Sequence, residues 1–161
     1  MKEIMSSVLS DIGLGHCPSF IKDRIFLLAL FCGFVAWIVI YFTVAPTFSV
    51  GQNSIVKILV MTLVFYPVVE EILFRGIIQG FLYERPWGGT KFSGFSTANW
   101  LTSLCFVAAH FWYHADLWSI SVLFPSLVFG FFRDKYTNIY PSILLHVFYN
   151  AGFVFINVIA Q

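Results

Sequence analysis

Charge is scarce in this chain. Of its 161 residues, 11% are charged and 59% are hydrophobic, and the mean hydropathy is +0.85. Soluble globular domains carry about a quarter charged residues, so this scarcity points to a protein whose solvent is a bilayer. The signs nearly balance, at net +1, which gives no reason to expect a nucleic-acid partner. Cysteine is scarce too. Cys17, Cys32 and Cys105 have no Cys-x-x-Cys spacing and two of them fall in apolar runs, so neither a disulfide framework nor a thiolate zinc site is expected. The first 20 residues mix Lys2, Glu3, Asp11 and His16 with short apolar clusters. They hold no continuous apolar core, and no cleavable signal is expected. Internal repeats, low-complexity tracts and domain linkers are all missing, and the length suits one domain.

What the chain has instead is long apolar runs. Residues 1–24 read as a loose or interfacial N-terminal segment that ends in Lys22-Asp23-Arg24. Ile25–Ala45 is 21 residues without a charge, and a bilayer needs about 20. After a turn at Pro46–Asn53, a second helix is expected from near Ser54 to about Tyr83. At 1.5 Å per residue it would run roughly 45 Å, more than the ~30 Å hydrocarbon core. It should tilt, emerge into the cytoplasm or kink at Pro67, whose missing N–H is tolerated where a neighbouring group satisfies the freed carbonyl. Glu84–Asn99 reads as a polar loop. Leu101–Tyr113 is short for a span, and must borrow Thr97–Trp100 or sit inside the bundle. Leu117–Phe132 is a fourth span, stopped by Arg133-Asp134-Lys135, and a fifth runs from about Ile139 to Ile159.

The expected fold class is therefore all-α, a polytopic membrane helix bundle of about five transmembrane helices over residues 25–161. With the N-terminus cytoplasmic, Lys2, Lys22, Arg24, Arg85, Lys91, Arg133 and Lys135 all fall inside, and the outer loops hold no lysine or arginine. That is the positive-inside pattern.

Ionisable groups inside the spans stand out against this background. Each costs roughly 2.5–3.5 kcal/mol on insertion scales, so they persist where they are paired or used. Glu71 and Arg75 are four apart and can pair on one helix face. Glu70 points about 100° away and must face something else. His110 follows Phe106 by four, and Asn150 follows His146 by four. Rough depths of about 8 Å for Glu70, 10 Å for His146 and 16 Å for Asn150 below the cytoplasmic boundary allow these to meet, while His110, at about 14–20 Å, fits less easily. Taken singly, a membrane histidine or asparagine is commonly helix-packing glue; six polar groups on three helices argue for a site.

Glu-Glu-x-x-x-Arg, then Phe-x-x-x-His, then His-x-x-x-Asn resembles the CAAX protease and bacteriocin-processing (CPBP, or Abi) family, which includes the type II CAAX prenyl endopeptidases. The motifs occur in that order over roughly residues 60–155, and the stretch from Gly130-Phe131-Phe132-Arg133 to Ser142-Ile143-Leu144-Leu145-His146 is similar to the family's approach to its last motif. The resemblance implies a glutamate-dependent intramembrane endopeptidase. Glu70 would be the general base and His110 its partner in activating water. His146 and Asn150 would polarise the scissile carbonyl and stabilise the oxyanion. Glu71 and Arg75 would support the site.

Other chemistries fit less well. Ser142 lies four before His146, but no acid completes a triad on that helix. Two histidines and a glutamate are a known zinc set; there is no His-Glu-x-x-His, and a metal-bound Glu70 could not also serve as base, so no cofactor is expected. A non-enzymatic protein of the same fold, a bacteriocin-immunity or scaffold member, would not require the whole trio. An ion-coupled carrier usually shows an internal repeat. The implied partners are the lipid bilayer and a membrane-associated protein or peptide substrate, cut at a leader peptide or a C-terminal sorting tail. Small size and the lack of a targeting sequence suit a multi-pass protein of a prokaryotic cell membrane. No feature fixes an oligomeric state.

Overall fold

The computed structural model describes residues 2–43, 59–115 and 117–159. The expected turn at 46–53 and the start of the second span near Ser54 lie outside the described residues. The chain divides into two compact units, one made of Met1–Pro18 and Glu70–Ile143, the other of Ser19–Val69 and Leu144–Gln161.

The elements are mostly helical. They are α1 (Lys2–Asp11), α2 (Arg24–Thr43), α3 (59–83), a short hairpin of β1 (Lys91–Phe92) and β2 (Phe95–Ser96), α4 (Thr97–His114), a 3-10 stretch Leu117–Val122 leading into α5 (Leu123–Tyr136), and α6 (Tyr140–Ile159). Within α3 the backbone alternates: π-helical at Met61–Phe65, α-helical at Tyr66–Glu71, π-helical again at Ile72–Gln79, then α-helical at Gly80–Tyr83.

In the first unit, α4 takes up the residues that its apolar run lacked. The Ser96 hydroxyl accepts the Asn99 N–H at 3.0 Å and caps the helix. The stretch expected as a loop thus holds a hairpin and starts a helix. Ser93 and Gly94 turn the hairpin with φ of 50° and 87°, as a two-residue connection between twisted strands demands. Phe74, Phe106, Phe129, Phe132 and Ile139 fill the core.

Within residues 1–24, expected to be a loose or interfacial segment, Lys2–Asp11 forms α1 and a turn follows it. Its backbone supplies the acceptors. Arg133 Nη2 donates to the Asp11 carbonyl at 3.2 Å, Ile139 N to Gly13 at 3.0 Å, and Asn138 Nδ2 to His16 at 3.2 Å. At Gly76 this turn lies close against α3, and any Cβ there would meet the Ile12 carbonyl.

In the second unit, α2 is 20 residues long with a mean hydropathy of 2.7, and among the described residues it is the one helix that meets both length and apolarity for crossing a membrane. The apolar stretch Tyr140–Ile156 of α6 is shorter. Phe31, Val35, Ile38 and Phe42 of α2 are exposed, as lipid-facing residues would be. Gly33 lets the Tyr149 ring of α6 lie directly against α2, small-residue packing that suits helices in lipid. The Tyr149 hydroxyl donates to the Ala29 carbonyl at 3.0 Å.

Candidate active site

The two adjacent glutamates differ in their surroundings. Glu71 is fully buried and its Oε2 lies 3.3 Å from Arg75 Nε, with both side chains sealed from solvent. Glu70, one residue earlier and rotated by about 100°, is only half-buried. The i,i+4 ion pair read from the sequence is thus formed. A buried pair of this kind needs further partners to offset desolvation. Arg75 has them in Ser126, whose hydroxyl accepts from Nη2 at 2.6 Å, and in the face of Phe106, 5.4 Å from the guanidinium carbon.

Phe106 connects the first motif to the second. One part of its surroundings is the Arg75 guanidinium and the edge of Phe74, with centroids 5.0 Å apart; another is the His110 ring, with centroids 4.3 Å apart. His110 Nδ1 lies 3.0 Å from the Phe106 carbonyl. A carbonyl only accepts, so a hydrogen bond here is donated by Nδ1–H. Four-residue spacing therefore does two things here: it sets the two rings against each other at a tilt of 37°, and it brings Nδ1 to the Phe106 carbonyl.

Below Arg75, a second polar layer joins the same helices. Gln79 Nε2 donates to the Gly130 carbonyl at 2.8 Å and to Asp134 Oδ1 at 2.7 Å. Asn99 Nδ2 donates to the Leu127 carbonyl at 2.9 Å and its Oδ1 accepts from Ser103. Burial pushes the Asp134 carboxyl above its usual range, against the opposing pull of hydrogen bonds from Ser96 and Gln79 and the charge of Arg133. Burial likewise lowers the pKa of the Arg133 guanidinium. A cavity of about 240 Å³ opens at this level, lined by Asp11, Gln79, Tyr83, Glu84, Arg133 and Asp134; Glu70 and His110 do not line it.

The third motif belongs to the other unit. His146 is buried at 6% exposure, and Asn150, one turn on, is half-buried. Asn150 Nδ2 donates to the Thr62 carbonyl at 3.0 Å. So Glu70, Glu71, Arg75 and His110 are held in one unit, His146 and Asn150 in the second.

The sequence reading missed Ser126, Gln79 and Asp134. Their signal was present: Arg75 and Gln79 are four apart on α3, and Ser126, Gly130 and Asp134 are each four apart on α5, so two polar ladders can face one another. Ser142, weighed above as a nucleophile, is fully buried and donates to the Phe129 carbonyl at 2.8 Å. Cys105 is exposed. Among the described residues, no group of three or more His, Cys, Asp or Glu is arranged to hold a metal ion.

Comparison with known proteins adds one finding. Residues 52–152 match the family model described as type II CAAX prenyl endopeptidase Rce1-like. Neither the curated proteins nor the solved structures compared with the chain include a significant match. The family match takes in all three motifs and well over half of the chain, and the protein belongs to the Rce1-like type II CAAX endopeptidases, a CPBP family of membrane peptide hydrolases.

Proposed function

We propose that this protein is an intramembrane endopeptidase that hydrolyses one peptide bond of a membrane-associated precursor, at a leader peptide or a C-terminal sorting tail. It crosses a prokaryotic cell membrane five times with its N-terminus in the cytoplasm, and it uses no cofactor. Glu70 takes a proton from water, with His110 helping to orient and polarise that water, as the oxygen attacks the scissile carbonyl carbon. His146 and Asn150 stabilise the oxyanion. Collapse of the tetrahedral intermediate breaks the C–N bond and the leaving amine takes the proton, giving one new carboxyl and one new amino terminus.

One observation carries this reading: adjacent carboxylates have been given different environments. Glu71 is sealed and neutralised by Arg75, so it is held as a structural anion. Glu70 keeps partial exposure. Donors aimed at a developing oxyanion contribute about 10²–10³ each in rate. The contact between His110 Nδ1 and the Phe106 carbonyl fixes the His110 ring on α4, which supports a role in orienting water.

The test is cleavage of epitope-tagged precursors encoded by neighbouring genes, co-expressed with the enzyme and followed by immunoblot. Native enzyme yields a shortened product. Glu70→Gln enzyme, inserted to the same level, leaves the precursor whole; full cleavage by that variant would sink the assignment.

A further inference from the structure

Backbone accounting in α3 reveals a role for Pro67. In the π-helical stretch Met61–Phe65, hydrogen bonds run five residues back, and the Tyr66 N–H duly reaches the Met61 carbonyl. The next bond in that register would run from residue 67 to the carbonyl of Thr62. Residue 67 is proline and has no N–H. The Thr62 carbonyl is therefore denied its helical partner, in a region where an unmet backbone acceptor is costly. It is met from another helix: Asn150 Nδ2 donates to it at 3.0 Å.

We infer that Pro67 is a positioning residue, which keeps the Thr62 carbonyl open as the fixed acceptor that aims the Asn150 amide. The amide nitrogen carries two protons. One is held on Thr62, which fixes the plane of the amide and hence the direction of the second. Asn150 follows Tyr149, which is itself tied to α2 through its hydroxyl and the Ala29 carbonyl, and the two side chains leave α6 about 100° apart. Two backbone acceptors, one on α2 and one on α3, thus set the rotation of α6 at the third motif. The use made of the second amide proton rests on the oxyanion role proposed above; the lock itself does not.

The experiment is a four-protein cycle of native protein, Pro67→Ala, Asn150→Ala and the double variant, with unfolding midpoints measured in detergent. In the native background Asn150→Ala strands the Thr62 carbonyl and lowers the midpoint. In the Pro67→Ala background, the new N–H of residue 67 serves that carbonyl, and the loss caused by Asn150→Ala shrinks to half or less. An equal loss in both backgrounds overturns the inference. If Asn150→Ala cannot be recovered folded from native background, its recovery on adding Pro67→Ala supports the lock, and failure to recover overturns it. This readout uses no substrate, so it stands or falls apart from the Glu70→Gln assay. Positioning has its own readout in precursor cleavage: Pro67→Ala alone lowers kcat several-fold with KM little changed, and an unchanged kcat overturns the positioning role.

Discussion

Arg75 Nη2 donates to the hydroxyl of Ser126 across 51 positions of sequence, at 2.6 Å, with both side chains fully buried. Among the described residues Arg75 Nη1 has no hydrogen-bond partner, so the Ser126 hydroxyl and Glu71 together carry the polar needs of a buried guanidinium. Hydrogen bonds to charged groups contribute about 1.5–3 kcal/mol. Ser126→Ala is expected to lower stability by about that much, read as a lower unfolding midpoint in detergent, with cleavage falling alongside. A variant as stable as the native protein would mean that Phe106 and Glu71 suffice.

The two glutamates should separate by readout. Glu71→Ala leaves Arg75 buried without its counter-charge, and breaking such a pair from one side costs about 3–5 kcal/mol in soluble cores. Expression and unfolding midpoint should drop together with activity. Glu70→Gln, at a half-buried position, should keep the midpoint and lose cleavage. If instead Glu71→Gln is fully stable and inactive, the assigned roles are reversed.

Ser142 and Cys105 offer a test of whether a side chain or water attacks. The Ser142 hydroxyl is engaged with the Phe129 carbonyl, which suits helix packing. The double variant Ser142→Ala, Cys105→Ala should cleave at close to the native rate, with a stability loss of about 1 kcal/mol from the lost hydrogen bond. Lost cleavage in a folded double variant would move the mechanism to a covalent one.

The motif residues were legible in the sequence because ionisable groups in apolar runs are conspicuous, and because the four-residue spacing of Glu71 and Arg75 fixes their pairing wherever the helix forms. The start of α4 was legible as a need for more residues, and Ser96 meets it by capping the helix. Ser126 left only a faint mark, its spacing of four and eight residues from Gly130 and Asp134, since a serine in an apolar helix looks much the same whether it meets an arginine or a carbonyl. The docking of the N-terminal turn was hidden for another reason. It runs through the carbonyls of Asp11, Gly13 and His16, and backbone acceptors leave no mark on side-chain patterning. The partner of Asn150 is a carbonyl too, exposed by a proline five residues away, and the proline was the visible half of that arrangement.

Asp134 should give the protein a pH-dependent stability. Burial holds its carboxyl above the ordinary value of 3.8, so the folded state binds that proton more tightly than the unfolded chain. The resulting stability is fully present below the unfolded value and is lost as pH rises through the folded one. Asp134→Asn removes the titration while its Oδ1 still accepts from Gln79. Midpoints measured from about pH 4 to 7 should fall with rising pH more steeply in the native protein than in Asp134→Asn. Equal slopes would locate the titration elsewhere.

The proposed topology can be read from the exposed ends of the helices. Ser93, at the tip of the hairpin, and Lys135, at the end of α5, are exposed, and the count of lysines and arginines puts both on the cytoplasmic side. Trp112, near the far end of α4, is 90% exposed and belongs on the outer side, where an aromatic belt would hold it. In a background with Cys17, Cys32 and Cys105 replaced, single cysteines at these three positions should react with a membrane-impermeant maleimide from one side each. In sealed right-side-out vesicles Trp112→Cys should label while Ser93→Cys and Lys135→Cys stay silent, and in inverted vesicles the pattern should reverse. Labelling of all three from the same side would remove the crossings by α4 and by α5, and with them the five-span arrangement. The opposite pattern in both preparations would keep the five spans and turn the protein over, placing the Glu70 end of α3 toward the outer face, where a cytoplasmic precursor tail could not be cut.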